Sequence, residues 1–277
     1  WRENFGACAT TSGAQVSGAI LGLSLVLSLS GCGVFDGDTA KNKDTAEKLY
    51  AEAREDISSG SYDRAIKTLE KVEARAAGTL LAQQAQLELA WAQYRSNERA
   101  QAVATLDRFL KLHPSSQAYD YALYLKGLCN FNDDLGFLGT LARQDMSERD
   151  QQASRDAYLA FKQLTERFPD SRYLEDAQLR MSYILNSLAN YEVHVARYYY
   201  YRGAYLAAAN RAQQAVLEYQ RSPAAEEGLF IMIKAYEKMG LTPLRDDAER
   251  VLKQNYPSSE YLRIGFKAGE KAWWQLW

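Results

Sequence analysis

Gly203-Ala-Tyr205-Leu-Ala-Ala208…Ala212…Ala215…Pro223 is the stretch that decides how this chain folds. A glycine sits where a tight turn between two helices needs a positive φ. The aromatic residue two positions on caps that turn. A small alanine lets the second helix approach the first closely, and in the other copies described below a larger residue four positions further fills the next layer. Proline then ends the helix, because its ring and missing N–H cannot continue it.

The same order of residues recurs along the chain. A first copy reads Tyr50…Gly60-Ser-Tyr62-Asp-Arg-Ala65-Ile-Lys-Thr-Leu69. A second reads Ala90-Trp91…Asn97-Glu-Arg99-Ala100-Gln-Ala102…Leu106…Phe109…Pro114, and a third Ala157…Phe161…Leu164…Pro169. The stretch quoted above is the fourth copy, and Gly240…Ala248…Leu252…Pro257 is the fifth. Each resembles the second half of a tetratricopeptide (TPR) repeat. The fold expected is therefore all-α, a TPR helical solenoid of about five helix pairs. The alanines Ala65, Ala102, Ala157, Ala208 and Ala248 lie 37, 55, 51 and 40 residues apart, against a repeat period of about 34. Two copies thus carry insertions: a loop around 130–152, irregular near 130–145, and a long first helix in the fourth copy, from about Leu174 to Tyr201. No Pro or Gly interrupts that helix. Ala65, Ala102, Ala157 and Ala208 are expected to be buried between paired helices.

Composition agrees with helices. Of 277 residues only five are proline, and the formal charge of −2 gives no electrostatic case for nucleic acid. Enzymatic chemistry is not visible. His113 and His194 lack a cysteine or carboxylate cluster at metal spacing, no glycine-rich phosphate loop or nucleophile elbow occurs, and no cofactor is implied. His113 precedes Pro114 and reads as a solvent-facing residue at a helix end. Cys129, in Gly127-Leu-Cys-Asn, reads as a small buried residue. Tyr198–Tyr201 are four consecutive tyrosines on a helix, so at least one is expected to be exposed.

At the other end of the chain, Leu29-Ser30-Gly31-Cys32 closes an apolar run that fills most of 19–29. Such a run matches the core of a secretory signal and falls short of the roughly 20 residues of a membrane span. The cysteine after Ser-Gly resembles a bacterial lipobox, where cleavage exposes a cysteine that carries lipid, palmitate included. Gly33, where an Asp tends to retain lipoproteins in the inner membrane, resembles the outer-membrane class. The chain begins with Trp1, and its one early cation, Arg2, is offset by Glu3, so the true start is expected elsewhere. The expected organisation is a signal at 1–31, a lipidated tether at 32–43, the five-repeat domain at 44–257 and a C-terminal helix with aromatic tail at 258–277. Asp44 is the expected N-cap of the first helix, with Glu47 three residues on as in a capping box. Cys129 would then be the lone thiol of the fold, which leaves no disulfide framework.

A more specific resemblance lies in the inserted details. These are Tyr119-Asp120-Tyr121-Ala-Leu-Tyr-Leu-Lys126-Gly127-Leu, then Glu148-Arg149-Asp150…Arg155-Asp-Ala157-Tyr-Leu-Ala-Phe161, then Tyr191-Glu192…Ala196-Arg-Tyr198-Tyr199…Arg202-Gly203-Ala204-Tyr205…Asn210-Arg211. Together they are similar to the BamD (ComL) family of outer-membrane assembly lipoproteins, over most of 44–257. The resemblance implies a non-catalytic, gently curved scaffold of five repeats, lipid-anchored through Cys32 on the periplasmic face of the outer membrane. It implies that the C-terminal repeats bind a POTRA domain of a BamA-like barrel assembly protein. The N-terminal repeats would receive targeting segments of unfolded outer-membrane proteins and an extended segment of another lipoprotein of the complex. Asn210, Arg211 and Tyr205, with Asp120 and Tyr121, are the partner-binding residues it implies. On that reading, Arg211→Glu weakens the partner complex and changes thermal stability little. The alternative is another lipidated periplasmic TPR adaptor such as a pilotin, for which more regular 34-residue spacing is expected.

Two stretches depart from the family. Where it often shows aromatic-Pro-aromatic-Gly after the first repeat, this chain has Arg75-Ala-Ala-Gly78-Thr-Leu80. Lys271-Ala-Trp273-Trp274-Gln-Leu-Trp277 adds three tryptophans, read either as an interface-loving tail or as a cap on the last helix.

Overall fold

A computed structural model of the chain describes residues 36–131 and 148–266. Among them every regular element is a helix: α1 (Asp36–Ser58), α2 (Tyr62–Arg75), α3 (Leu80–Arg95), α4 (Arg99–Leu112), α5 (Tyr119–Asn130), α6 (Glu148–Arg167), α7 (Leu174–Tyr201), α8 (Tyr205–Glu218), α9 (Ala224–Met239), α10 (Thr242–Asn255) and the short α11 (Glu260–Ile264). From α2 to α10 each helix packs on the next in sequence, and α3 also meets α5 as α7 meets α9. First helices therefore neighbour first helices, as stacked helix pairs require. Cys32, residues 132–147, which hold most of the expected loop, and the tryptophan tail lie outside the described residues.

The alanines do what their spacing demands. Ala65, Ala102, Ala157 and Ala208 have no solvent exposure, and Ala248 has little. Around them the core divides into successive layers. Ala53, Ala65, Leu69, Val72, Ala85 and Leu89 form the first, and Leu87, Ala102, Leu106, Phe109, Ala122 and Leu125 the next. A larger cluster joins Phe161, Leu164, Ile184, Val193, Ala208 and Ile231, and Leu229, Ile233, Ala248 and Leu252 complete the last pair. In α5, Gly127 lets the fully buried Phe161 ring of α6 lie against the helix: a Cβ there would sit 2.3 Å from the ring.

The turns also follow the pattern. Gly203 has φ +79°, and in the second copy Asn97 takes the equivalent left-handed position at φ 66°. Asparagine tolerates that region better than other side chains, because its short amide bonds locally to the backbone. α4 ends at Leu112, before Pro114, and α6 at Arg167, before Pro169. The long first helix of the fourth repeat is continuous over 28 residues, as its lack of breakers predicts.

Two boundaries differ from expectation, one being that α6 already begins at Glu148, inside the stretch around 130–152 expected as a loop. The other is that α1 begins at Asp36, eight residues ahead of Asp44. Apart from Gly37, the intervening residues are compatible with a helix. One interior glycine costs only about 1 kcal/mol, less than continued pairing with the helix beyond can offset.

Candidate functional site

The residues singled out in the sequence fall into two groups on different repeats. Asp120 and Tyr121 open α5. The Asp120 carboxylate accepts the Ser171 hydroxyl at 2.6 Å and the Tyr121 backbone N–H at 2.7 Å. That pins the start of α5 to the corner before α7. Tyr121 is half-buried, its ring 5.7 Å from that of Tyr173, and burial pushes its phenol up to about 12. Tyr173 in turn stacks on Tyr124 at 4.5 Å, and the Tyr124 hydroxyl donates to Asp176 at 2.7 Å.

Tyr121 is shared by two neighbouring hollows. One, about 340 Å³, lies across the first helices of three consecutive repeats: Arg54, Ile57 and Ser58 of α1, Leu87, Glu88 and Trp91 of α3, and Tyr121 of α5. The other, about 500 Å³, is walled by Gln117, Asp120, Tyr121, Ser171, Arg172 and Tyr173. The two hollows share Tyr121 and present aromatic sides and polar points along the first helices of the N-terminal repeats. Such a surface suits an extended chain, because Tyr and Trp offer large area for few torsions frozen. The sequence pointed to Asp120 and Tyr121 but not to Arg54, Glu88 or Trp91, which the fold brings beside them. Trp91 stood in the second repeat copy, and nothing there marked it as a groove wall.

The second group lies on α8. Tyr205 is half-buried, its ring 5.5 Å from Tyr200. Asn210 is exposed. Arg211 is not a free guanidinium: it donates to Glu192 of α7 at 3.0 Å. The Glu192 side chain is only 3% exposed while that of Arg211 is 43% exposed. This pairing holds the arginine's pKa above its ordinary value, against burial, which works to lower it. Arg211 therefore satisfies a buried carboxylate on one side and faces solvent on the other. This pair argues against the expectation that Arg211→Glu leaves stability almost unchanged, since a second carboxylate would meet a buried one.

A further network beneath fixes the last repeats. Arg197 of α7 grips Glu227 of α9 in two bonds, at 2.6 and 2.7 Å, and the Tyr261 hydroxyl of α11 donates to the same carboxylate at 3.0 Å. The geometry is the planar fork that a guanidinium offers a carboxylate. Burial and the adjacent carboxylate push the Tyr261 phenol well above its ordinary range. Of the four consecutive tyrosines, Tyr198 and Tyr201 are exposed and Tyr199 and Tyr200 half-buried. Cys129 is buried, and its thiol is raised to about 12 by loss of solvation. His194 is exposed on α7, and the His113 ring lies 5.1 Å from Phe109 at the end of α4. Among the described residues no group of His, Cys, Asp and Glu could hold a metal ion, and no helix is long and apolar enough to cross a membrane.

Five stacked helix pairs, four of them with described turns on glycine or asparagine, and the buried alanines between them define a TPR-type helical solenoid. The sequence profile of the family described as YfiO, outer membrane lipoprotein, matches residues 42–252. The chain belongs to that family. It is similar to the outer membrane protein assembly factor BamD of Neisseria meningitidis serogroup B (strain MC58), 45% identical over 262 residues, 93% of this chain and 98% of the relative. The protein of the same description from Vibrio cholerae is 35% identical over 75% of this chain and 86% of its own length. That from Haemophilus influenzae is 34% identical over 80% and 85%. Among solved structures, TPR-like repeats related to a Podosopora anserina kinesin light chain superpose with a TM-score of 0.32 at 15% identity, over 77% of this chain and 96% of theirs. That likeness is too slight to add to the helix pairing already described.

Proposed function

We propose that this chain is a non-catalytic scaffold of the machinery that inserts β-barrel proteins into the outer membrane, anchored there by lipid on Cys32 and facing the periplasm. The observation that carries the reading is the family match over 42–252, which spans all five helix pairs and both departures from the regular period. Groove and α8 surface divide the work. The groove across α1, α3 and α5 receives extended segments, from unfolded barrel proteins and from another lipoprotein of the complex. The exposed side of α8, with Asn210, Arg211 and Tyr205, meets a POTRA domain of a BamA-like partner. A partner carboxylate there would share a guanidinium already aligned by Glu192, which reduces the ordering cost of binding.

Pull-down from detergent-solubilised outer membranes tests this. The expected main partner is a barrel protein with POTRA domains, and its recovery is expected to fall for Asn210→Glu, whose exposed side chain leaves folding intact. A second arm uses Cys32→Ser, expected to leave the protein in the soluble periplasmic fraction or unprocessed after a high-salt, detergent-free wash. Recovery of a secretin instead would support the pilotin alternative, and a fully processed, membrane-bound Cys32→Ser protein would refute the lipid anchor.

A further inference from the structure

The smaller hollow holds an ionic asymmetry that no structural role uses. Glu88 reaches it from α3. One carboxylate oxygen, Oε1, accepts the Tyr50 hydroxyl at 2.8 Å, and the nearest cation, Arg54, stands 3.8 Å from that same oxygen, beyond hydrogen-bond range. The other oxygen, Oε2, is buried and has no donor among the described residues. An ionised carboxylate is acceptor-only and can take up to about four hydrogen bonds. Glu88 thus uses a fraction of its capacity. Arg54 does not supply the rest: its side chain is 67% exposed against 29% for Glu88.

The walls around this acceptor are Ile57, Leu87, Trp91 and Tyr121, so the hollow pairs an under-used carboxylate with two aromatic rings and aliphatic sides. That combination matches a long cationic side chain. The methylenes of Lys or Arg lie against apolar walls, the rings attract the positive head, and the carboxylate accepts its N–H groups. The volume of about 340 Å³ exceeds what a single backbone amide needs. The terminal torsion of a glutamate is broad, so its carboxylate turns toward a new donor at little cost.

We infer that the hollow between α1, α3 and α5 is a subsite for a lysine or arginine side chain of an extended polypeptide, with Glu88 as its specificity-determining acceptor. The inference rests on the groove reading given under Proposed function and names the chemistry that the groove selects. Arg54 is then the internal competitor, which a bound cation displaces toward solvent.

The test uses the full mature chain and an array of 12-residue peptides of one fixed alternating Thr/Tyr/Ser/Phe sequence, with a central position set to Lys, Arg, norleucine or Glu. Binding is measured by competition fluorescence polarisation at low and at high salt. The wild type is expected to prefer Lys and Arg over norleucine by about tenfold, the size of one charge-assisted contact, and the preference is expected to shrink with salt. Glu88→Gln keeps an acceptor for Tyr50, so its melting curve should match the wild type, while the Lys and Arg preference disappears and norleucine binding stays. Arg54→Gln is expected to act in the opposite sense and strengthen Lys and Arg binding. Equal binding of all four peptides to the wild type, or an unchanged ranking in Glu88→Gln, overturns the cation subsite and leaves the groove reading standing. Failure of every peptide to bind overturns both.

Discussion

Replacing Arg211 by Glu probes stability and partner contact at once, and the structure sets the size of the first effect. Removing one member of a buried ion pair costs about 3–5 kcal/mol, because the remaining charge is left uncompensated. Glu192 meets that description at 3% side-chain exposure, but Arg211 does not at 43%. Water and salt screen its side of the pair, so loss of the arginine alone, as in Arg211→Gln, should cost about 1–2 kcal/mol. Arg211→Glu adds repulsion to the loss and should cost about 2–4 kcal/mol. For a fold of this size each kcal/mol lowers the melting temperature by about 2–4 °C, giving a drop on the order of 5–15 °C. In a stack of repeats that loss falls first on α7, α8 and their neighbours, where hydrogen exchange should accelerate before α2–α4 respond. The assay is a melting curve with exchange mass spectrometry on the purified soluble domain. Glu192→Gln in the Arg211→Glu background should recover most of the stability, since an amide can donate to the new carboxylate. Arg211→Glu melting together with the wild type, or no recovery in the double variant, would refute the claim that Arg211 neutralises a buried charge. Loss of partner recovery in the rescued double variant would then report the interface alone.

Gly127→Ala should destabilise by about 1–2 kcal/mol in urea titration, because overpacking against Phe161 outweighs the gain of about 1 kcal/mol in helix propensity; Phe161→Leu in the same chain should relieve it, and a stabilised Gly127→Ala would contradict the packing. Ala157→Leu should cost about 1–3 kcal/mol by the same measurement, since Ala157 is wholly enclosed, and an unchanged midpoint would mean that the helices part freely there. Cys129 should resist iodoacetamide at pH 8 until the fold opens, because burial keeps its thiol protonated up to about 12. The folded pKa is raised, so this contribution to stability is complete below the unfolded thiol's pKa of about 8.5 and lost as pH climbs toward 12. Alkylation in the native state at a rate independent of added urea would show the thiol to be accessible.

Much of the architecture was legible in the linear chain because it is written in local terms. A turn that needs positive φ, a small residue where two helices touch and a proline that stops a helix each act within a few positions. Hence Ala65, Ala102, Ala157 and Ala208 could be placed in the core, and the 28-residue α7 read as unbroken. That at least one of Tyr198–Tyr201 is exposed, and that Cys129 is buried, followed from equally local reasoning. The start of α1 was misjudged because a favourable cap at Asp44 competes with a helix that can simply continue upstream.

Partnerships between side chains were not legible, and they make the candidate sites. Arg211 was rightly read as lying on the second helix of the fourth repeat, but its bond to Glu192 spans 19 residues and two helices. Tyr50 and Glu88 are 38 residues apart, Asp120 and Ser171 51. No periodicity encodes such meetings. Each depends on how far one helix slides and rotates against its neighbour, and those are fixed by the summed packing of whole layers. The sequence by itself determined that helices form, where they turn and which residues they bury. Only the tertiary structure decided which charges face each other and which walls close the hollow, because register between helices is a property of the packed stack and of no single segment.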